Sequence, residues 1–431
     1  MLNEPSWLER STDSVFRRGR ACFDRAQKVL TGGAWRKQGQ TSVYQLSELG
    51  DVYPGRHRAS PGLAMSSLTI LIVVGFSLTL SGAETLTLDV CKPTNQNPRH
   101  DHQLIFPLND DRLMLVWSEY YRSDVSGAKS GAASDDMPCR IAARTSKDRG
   151  RSWSEPFVLQ ENTGKLNVKH PNLLRLPSGE VLFFYTEWNS KTNRTVYMRR
   201  SSDDCKHWGP PQRVSAPRGI TNINNDHVLR LRGGRIVLPA FYSPSVWDQD
   251  DHWQAFCYYS DDQGQHWQSS ACRMDLPWRG AEEPCMVELK DGSLLTTLRT
   301  SLGSVYTAHS TDGGETWSAP ASTALPSPAA PALLKRIPAT GDLLLLWNGY
   351  YQPGHHHQGE RTPLIAAISR DEAKTWEKVK DVERVPEGSA AYAAVTFIGE
   401  EALVTYYYQT KGFGGASGVR LKILPIKWFY E

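Results

Sequence analysis

Two acidic residues and an arginine in this chain have the types and spacing of a chemical site. Glu282 and Glu283 come just before a strand-turn-strand pattern, MVELKDGSLLTTLRT, and Arg299 comes at its end. The Asp291-Gly292 pair between the two strands is a hairpin turn signal, so both acids and the arginine are predicted at one end of a sheet. Because successive strand residues point to opposite faces, we expect only one of the two acids to serve in the site.

The elements that must position these residues form a repeat of six predicted hairpins. They share a turn between two runs rich in β-forming residues, and they turn near Asp110, Ser178, Gly233, Asp291, Gly341 and Gly399. Five of them are followed by a third strand and then by a short motif of the form Ser-x-Asp-x-Gly-x-Thr-Trp. The copies are SKDRGRSW (146–153), SSDDCKHW (201–208), SDDQGQHW (260–267), STDGGETW (310–317) and SRDEAKTW (369–376).

Each position that recurs among the five copies has a structural explanation. The aspartate accepts backbone N–H bonds within the turn, the glycine permits a positive φ, and the tryptophan packs over neighbouring strands while its ring N–H finds an acceptor. The second and fifth copies carry Cys205 and Ala373 in place of the glycine. The aspartates of the motif are therefore predicted to be structural and not catalytic.

The repeat predicts an all-β fold, a six-bladed β-propeller with four-stranded antiparallel blades. The tryptophans of the motif recur at intervals of 50 to 59 residues. Closure of such a ring needs one blade built from both chain ends, and ETLTLDV (84–90) can complete a last blade with GVRLKILPIKWFY near the end of the chain. We expect a single propeller domain over residues 84–431.

The five motifs are identified as Asp-box, or BNR, repeats, and from about residue 95 onward the chain resembles the sialidase (neuraminidase) superfamily. Members of this superfamily bind the carboxylate of an acidic sugar with three arginines, since a planar guanidinium makes paired charge-assisted bonds. The resemblance implies Arg299, Arg361 and, less closely, Arg99 for this role. Arg99 lies in Arg-His-Asp instead of the usual Arg-Ile-Pro, so Arg140 and Arg144 stay open as alternatives.

The resemblance also implies catalytic residues. Tyr392, in GSAAYAAVTF, matches the nucleophile of the family, and Glu283, with Glu282 as the alternative, matches the glutamate that takes its proton. Asp135 and Asp136 both fit the acid/base aspartate, with Asp124 a more distant choice. The glutamate that usually orients the first arginine is not found, because the corresponding segment is VTYYYQ (404–409).

The composition argues against several other classes of function. Lys plus Arg number 49 and Asp plus Glu 46, a balance that does not favour nucleic-acid binding. No cofactor is implied and no metal site is predicted, since the run 355–357 of three histidines has no further ligands at zinc-site spacing. Cys257 and Cys272 bracket one motif and are the best candidates for a disulfide, with buried free thiols as the equal alternative.

The first part of the chain predicts export. Residues 1–64 form a poorly defined leader, with Met65 a possible true start, and residues 65–83 resemble a signal peptide whose apolar run is 68–80. The alternative is an uncleaved membrane anchor. A start of the mature chain near Glu84 follows from the first of these two hypotheses.

The function expected from these patterns is a retaining, metal-independent glycoside hydrolase that removes sialic acid or a related acidic sugar from a glycan or glycoconjugate. Two rivals remain. One is a hydrolase or lyase of the same fold acting on another sugar, and the other is a non-catalytic binding propeller. The sequence predicts neither the oligomeric state nor the sugar linkage.

Overall fold

The computed structural model describes residues 85–122, 134–216, 219–244, 251–410 and 415–431, and strands make up nearly all of its regular structure. The first strands in the chain are β1 Leu86–Cys91, β2 Arg99–Pro107, β3 Leu113–Tyr120, β4 Cys139–Ser146, β5 Phe157–Gln160, β6 Asn167–Arg175, β7 Val181–Ser190, β8 Asn193–Ser201 and β9 Gln212–Arg213. They are followed by β10 Gly219–Asn222, β11 Leu229–Arg230, β12 Ile236–Ser243, β13 Gln254–Ser260, β14 Gln268–Ser269, β15 Glu282–Glu288, β16 Leu294–Arg299, β17 Ser304–Ser310 and β18 Ala321–Pro326. The last are β19 Leu333–Arg336, β20 Leu343–Asn348, β21 Leu364–Ser369, β22 Glu377–Glu383, β23 Ser389–Ile398, β24 Glu401–Gln409 and β25 Gly418–Pro425, with short 3₁₀ helices at His356–Gln358 and Ile426–Phe429.

Antiparallel four-stranded sheets are the building unit of the fold. Three sheets run in chain order as β2-β3-β4-β5, β15-β16-β17-β18 and β19-β20-β21-β22, and a fourth has the order β1-β25-β24-β23. The remaining strands form a nine-stranded sheet in which a short parallel pairing of β8 with β10 joins two antiparallel groups. Buried apolar side chains fill the spaces between neighbouring sheets, as where Leu345 on β20 belongs to one cluster with Tyr406 on β24.

The predicted pairing between a strand from the start of the propeller segment and one from its end is found. Strand β1 pairs antiparallel with β25, from Leu86 opposite Ile423 to Cys91 opposite Val419. All six predicted hairpins are also present as antiparallel pairs, β2 with β3, β6 with β7, β11 with β12, β15 with β16, β19 with β20 and β23 with β24.

The Asp boxes have the structural role predicted for them. In the fourth copy, Asp312 accepts a bond from the backbone N–H of Thr316 at 2.9 Å and another from the hydroxyl of Ser310 at 2.7 Å. The positions predicted to need glycine have positive φ in all five boxes, including 69° at Cys205 and 66° at Ala373. Non-glycine residues there carry backbone strain.

The tryptophans of the Asp boxes follow the prediction in part. The indole N–H groups of Trp153 and Trp267 donate to the carbonyls of Gly150 and Gly264, and that of Trp317 donates to the hydroxyl of Ser270. For Trp208, in the degenerate second box, the prediction is wrong, because its buried N–H has no hydrogen-bond partner among the described residues.

The first strands of four hairpins share a β-bulge that the sequence does not announce. On β2, β6, β15 and β23 the pairing register shifts, and a non-glycine residue with positive φ sits inside each shift. These residues are His102, His170, Glu283 and Tyr392, with φ of 50°, 63°, 46° and 55°. A bulge bends its strand and redirects side chains, and strained backbone of this kind concentrates at functional sites.

Buried side-chain amides tie the sheets together beside these bulges. The side chain of Gln103 donates to the carbonyl of Tyr392 at 2.6 Å, and that of Asn225 donates to the carbonyl of Gln103 at 2.7 Å. Asn348 bonds to Ala390 at 2.9 Å in the same way. The bonds from Gln103 and Asn348 join strands of different sheets, and the bond from Asn225 ties β2 to the connection between β10 and β11. Together they fix the bulged strands β2 and β23 in place.

Six cysteines are described, and all are buried free thiols, so the predicted bridge between Cys257 and Cys272 is not formed. The Cys257 thiol instead contacts Ser270 and the carbonyl of Gly314. No helix among the described residues is long and apolar enough to cross a membrane. The leader, the apolar run 68–80 and Glu84 lie outside the described residues.

Candidate active site

The bulged strands surround one pocket with a volume of about 640 Å³. Seven of the eight residues predicted for the site line it: Arg99, Asp135, Glu282, Glu283, Arg299, Arg361 and Tyr392. The eighth, Asp136, is exposed and does not line the pocket. Neither Arg140 nor Arg144 lines the pocket, and this observation favours Arg99 among the three candidate arginines.

A tyrosine, a glutamate and an arginine contact one another at the centre of the pocket. The hydroxyl of Tyr392 donates to Oε1 of Glu283 at 2.9 Å. Nη1 of Arg299 lies 2.9 Å from Oε2 of the same carboxylate and 3.2 Å from the Tyr392 hydroxyl. The two bulges bring this contact about, since Tyr392 and Glu283 are the positive-φ residues of β23 and β15.

Electrostatics assign opposite protonation states to Tyr392 and Glu283. Burial raises the pKa of Tyr392 above its ordinary value, and the charge of Glu283 adds to this effect, so the phenol is neutral near pH 7. Burial alone would also raise the pKa of Glu283, but Arg299 outweighs it and holds the pKa below its usual range. Glu283 is therefore an ionised acceptor beside a neutral hydroxyl.

Glu282 does not point away from the site, contrary to the expectation from strand alternation. It lines the same pocket, with Oε1 at 3.9 Å from Nε of Arg299 and Oε2 at 3.4 Å from Nη2 of Arg279. The bulge at Glu283 interrupts the alternation, so both acids face inward. Burial raises the pKa of Glu282, although Arg299 and Arg279 oppose the shift.

Arg361 completes the positive wall next to Tyr392. Its guanidinium carbon lies 5.6 Å from the centroid of the Tyr392 ring. It donates to the hydroxyl of Tyr407 at 3.4 Å and to the carbonyl of Ala329 at 3.1 Å, while its buried Nε has no hydrogen-bond partner among the described residues. The described ion pairs include none with Arg361, in contrast to Arg299.

Arg99 is held by a carboxylate on its own strand. Its Nε lies 2.6 Å from Oδ2 of Asp101, and its Nη2 lies 2.8 Å from Oδ1 of Asp135. Asp101 is 3% exposed and also contacts Nδ1 of His102 at 2.5 Å. Arg99 thus has a carboxylate partner two residues further along β2.

Asp135 faces the pocket between two cations. Besides Arg99, Nζ of Lys169 lies 3.9 Å from its Oδ1. Burial would raise the pKa of this carboxyl, but Lys169 and Arg99 hold it well below its usual range. Asp124, the third choice for the same role, lies outside the described residues.

Sequence comparison identifies the family of this chain. A model of the BNR repeat-like domain matches residues 112–404, which is more than half of the chain. The chain belongs to the BNR repeat-like family. No curated protein sequence matches it significantly.

Solved structures with the same fold connect this BNR-family chain with sialidases. A protein of unknown function from Dyadobacter fermentans has a TM-score of 0.64 at 19% identity, over 79% of this chain and 99% of that one. The Hadza microbial sialidase Hz136 gives 0.59 at 17% identity, over 77% and 66%. Trypanosoma rangeli sialidase in complex with sialic acid gives 0.60 at 13% identity, over 79% of this chain and 59% of that one. At these low identities, the TM-scores show that the fold is shared.

Several pocket residues of this BNR-family chain escaped the sequence analysis. They are Asp101 and His102 on β2, Lys169 and His170 on β6, Arg194 on β8, Asp251 just before β13, and Arg279 between β14 and β15. For the residues on β2 and β6, the sequence does carry a signal. The first strands of these two hairpins open with the polar runs HDHQ and KHPN, where a buried strand is expected to be apolar. Nothing local in these two runs indicates which of their residues point into the pocket.

Proposed function

We propose that this protein is a retaining glycoside hydrolase of the sialidase type, which removes terminal sialic acid or a related acidic sugar from glycans. One observation carries the proposal: a neutral tyrosine is bonded to an ionised glutamate, and an arginine contacts both. A neutral phenol can attack next to the carboxylate of a sugar without the repulsion that a carboxylate nucleophile meets. This chemistry departs from the usual pair of glycosidase carboxylates.

In the first step, the Tyr392 oxygen bonds to the anomeric carbon as its proton passes to Glu283. The bond from that carbon to the leaving oxygen breaks, and the leaving oxygen takes a proton from an acid. In the second step, the now deprotonated acid acts as a base and takes a proton from water, and the water oxygen attacks the anomeric carbon. The tyrosyl bond breaks, and Glu283 returns the proton to Tyr392.

Arg299, Arg361 and Arg99 are proposed to bind the sugar carboxylate. Arg361 supports this role best, since its Nε lacks a hydrogen-bond partner among the described residues and its guanidinium lies beside the proposed nucleophile. Arg299 orients the nucleophile and its base as well as facing the sugar. Asp101 is proposed to hold Arg99 in place through the bond to Nε.

Asp135 is the proposed proton donor of the predicted pair, because it lines the pocket and Asp136 does not. A donor must be protonated, whereas Lys169 and Arg99 hold Asp135 ionised. Negative charge arriving with the substrate offsets these cations and so raises the pKa of Asp135. The proposal therefore couples proton donation to the binding of an acidic substrate.

The sheet arrangement supports a ring of six blades over residues 84–431. The nine-stranded sheet divides at the parallel β8–β10 pairing into two blades, which with the four other sheets gives six. We also propose that residues 65–83 direct export of the protein.

Hydrolysis of an aryl α-sialoside by the purified protein tests the function, with the carboxyl-reduced sialoside as the second substrate. For Arg361→Lys we expect a loss of about 10- to 100-fold in kcat/KM on the acidic substrate, from the charged bonds to a carboxylate that lysine cannot reproduce. The carboxyl-reduced substrate should lose far less. Arg140→Lys, outside the pocket, is the matched control and should change neither. No hydrolysis by the parent, or equal losses on both substrates, contradicts the proposal.

A further inference from the structure

Three consecutive residues on β2 contact both a proposed carboxylate-binding arginine and the proposed nucleophile. Oδ2 of Asp101 lies 2.6 Å from Nε of Arg99, and its Oδ1 lies 2.5 Å from Nδ1 of His102. The side chain of Gln103 donates to the carbonyl of Tyr392 at 2.6 Å. Each of the three is at most 3% exposed. The bulge of β2 thus connects Arg99 with the bulge of β23, which carries Tyr392.

The ring of His102 packs against the ring of Tyr392. Their centroids lie 4.5 Å apart and their planes meet at 68°, which is an edge-to-face contact. The His102 ring also meets the ring of His170 edge-to-face, at 4.3 Å. The bond between Asp101 and Nδ1 fixes the rotation of the imidazole. Because Asp101 and His170 hold it in place, His102 is a rigid support for the Tyr392 ring.

The Tyr392 ring has little other aromatic support. Its neighbours on β23, Ala391 and Ala393, are too small to pack across an aromatic ring. Among the described ring contacts of Tyr392, the other is with Tyr407, whose centroid is farther away at 5.8 Å. Glu283 and Arg299 hold the hydroxyl, but the ring can still rotate about the axis that ends at that hydroxyl. Support of the ring itself therefore comes chiefly from His102.

We propose that His102 is a positioning residue, which holds the ring of Tyr392 in the orientation needed for attack on the anomeric carbon. It acts through Tyr392 and takes no part in binding the sugar or in proton transfer. The role in attack rests on the proposed function, whereas the support of one ring by the other is a property of the folded protein. A misplacement of about 1 Å can cost about 100-fold in rate, so loss of this support should lower kcat.

Two substitutions of His102 separate the ring contact from the bond to Asp101. His102→Phe keeps a ring of similar size and loses the bond, whereas His102→Asn keeps an N–H donor near the position of Nδ1 and loses the ring. On an aryl α-sialoside, we expect kcat to fall about 10- to 100-fold in His102→Asn with little change in KM, and to be largely restored in His102→Phe. His309→Asn, which replaces an exposed histidine outside the pocket, is the matched control and should change neither value.

Equal losses of kcat in His102→Phe and His102→Asn overturn the proposal, because the reaction then needs the imidazole nitrogens and not the ring contact. A His102→Asn variant that raises KM and keeps kcat overturns it too, since His102 then binds the sugar instead of supporting the nucleophile. Thermal melting shows which of the variants are folded.

The motion of the Tyr392 ring can be measured without any turnover. Tyrosine labelled with ¹³C at both ε carbons, incorporated at position 392 alone, gives two NMR signals when the ring is held and one averaged signal when the ring flips freely. The parent should give two signals, which should merge in folded His102→Asn and stay separate in His102→Phe. A single averaged signal in the parent overturns the proposal even if neither variant folds, and so do two separate signals in folded His102→Asn.

The kinetic and the NMR measurements together distinguish the positioning role from the proposed function. If the parent hydrolyses no sialoside but its two signals merge in His102→Asn, the proposed function fails and the support of the Tyr392 ring by His102 stands. If the parent hydrolyses the sialoside and folded His102→Asn keeps kcat within a few-fold, the proposed function stands and the positioning role is wrong.

Discussion

Replacing Arg299 by methionine should destabilise the protein strongly, because it removes the nearest cation from a buried carboxylate. Arg299 is 5% exposed and Glu283 is 6% exposed, and 2.9 Å separates their charged atoms. Methionine keeps much of the side-chain volume, so the loss is mainly electrostatic. Glu282 keeps a second cation in Arg279 at 3.4 Å, whereas Glu283 loses its close cation and keeps only the hydrogen bond from the Tyr392 hydroxyl.

Removing one partner of a buried ion pair lowers the free energy of unfolding by about 3 to 5 kcal/mol. Because only one carboxylate loses its close cation here, we expect a loss of about 3 kcal/mol. The control is Arg384→Met, which removes a pair with Asp381 whose side chains are 62% and 42% exposed. An exposed pair contributes at most about 1 kcal/mol. The free energy of unfolding in urea, measured at pH 7, gives both values.

A double-mutant cycle with Glu283→Gln separates the charge pair from other effects. The double variant should lose less stability than the sum of the two single variants, by about 2 kcal/mol. Since the pKa of Glu283 is lowered in the folded protein, the contribution of the pair is present above the unfolded-state pKa and is lost as the pH falls through the folded-state value. The difference between parent and Arg299→Met should therefore shrink in acid. A loss below about 1 kcal/mol at neutral pH, or full additivity, refutes this reasoning.

Two further predictions concern the Asp boxes. Ala373→Gly should raise the free energy of unfolding by up to about 1 kcal/mol and Gly150→Ala should lower it by a similar amount, because φ is 66° and 88° at these positions. Thermal melting checks the sign of both changes. If Ala373→Gly destabilises the protein, the strain argument is contradicted. Asp312→Ala should lower the melting temperature by removing the bonds from Thr316 and Ser310, while the folded fraction keeps its turnover. A variant that loses turnover but keeps the melting temperature of the parent would reject a purely structural role.

The fold was largely predictable because its repeated signals are local. A turn that needs an aspartate acceptor and a positive φ leaves its mark within eight residues, as at 310–317, and each hairpin turn is equally local. The pairing of β1 with β25 followed from the need to close the last sheet. The sequence could not decide whether Cys257 and Cys272 form a disulfide, since their spacing alone does not distinguish neighbouring free thiols from bonded ones.

The pocket was predictable only in part. Tyr392, Glu283 and Arg299 were predicted for one site and are found in contact, although their roles stay predictions. The bulges that aim Tyr392 and Glu283 are not visible in the sequence, because no glycine marks them and packing against other sheets imposes the positive φ. The same bulge invalidated the strand-alternation argument for Glu282. Lys169 was missed because its partners, Tyr120 and Asp135, are distant in sequence. Asp101 was missed although its partners Arg99 and His102 are close in sequence, because the bulge of β2 is not visible there.

Trapping of the glycosyl intermediate tests the central claim most directly. A fluorinated acidic sugar that slows breakdown of the intermediate should label the parent protein once, and peptide mass spectrometry should place the label on Tyr392. Tyr392→Phe keeps the ring and its packing, so it should stay folded, bind the sugar, lose most of its turnover and take no label. A label on another residue, or a Tyr392→Phe variant whose activity is within a few-fold of the parent, contradicts the assignment of Tyr392 as the nucleophile.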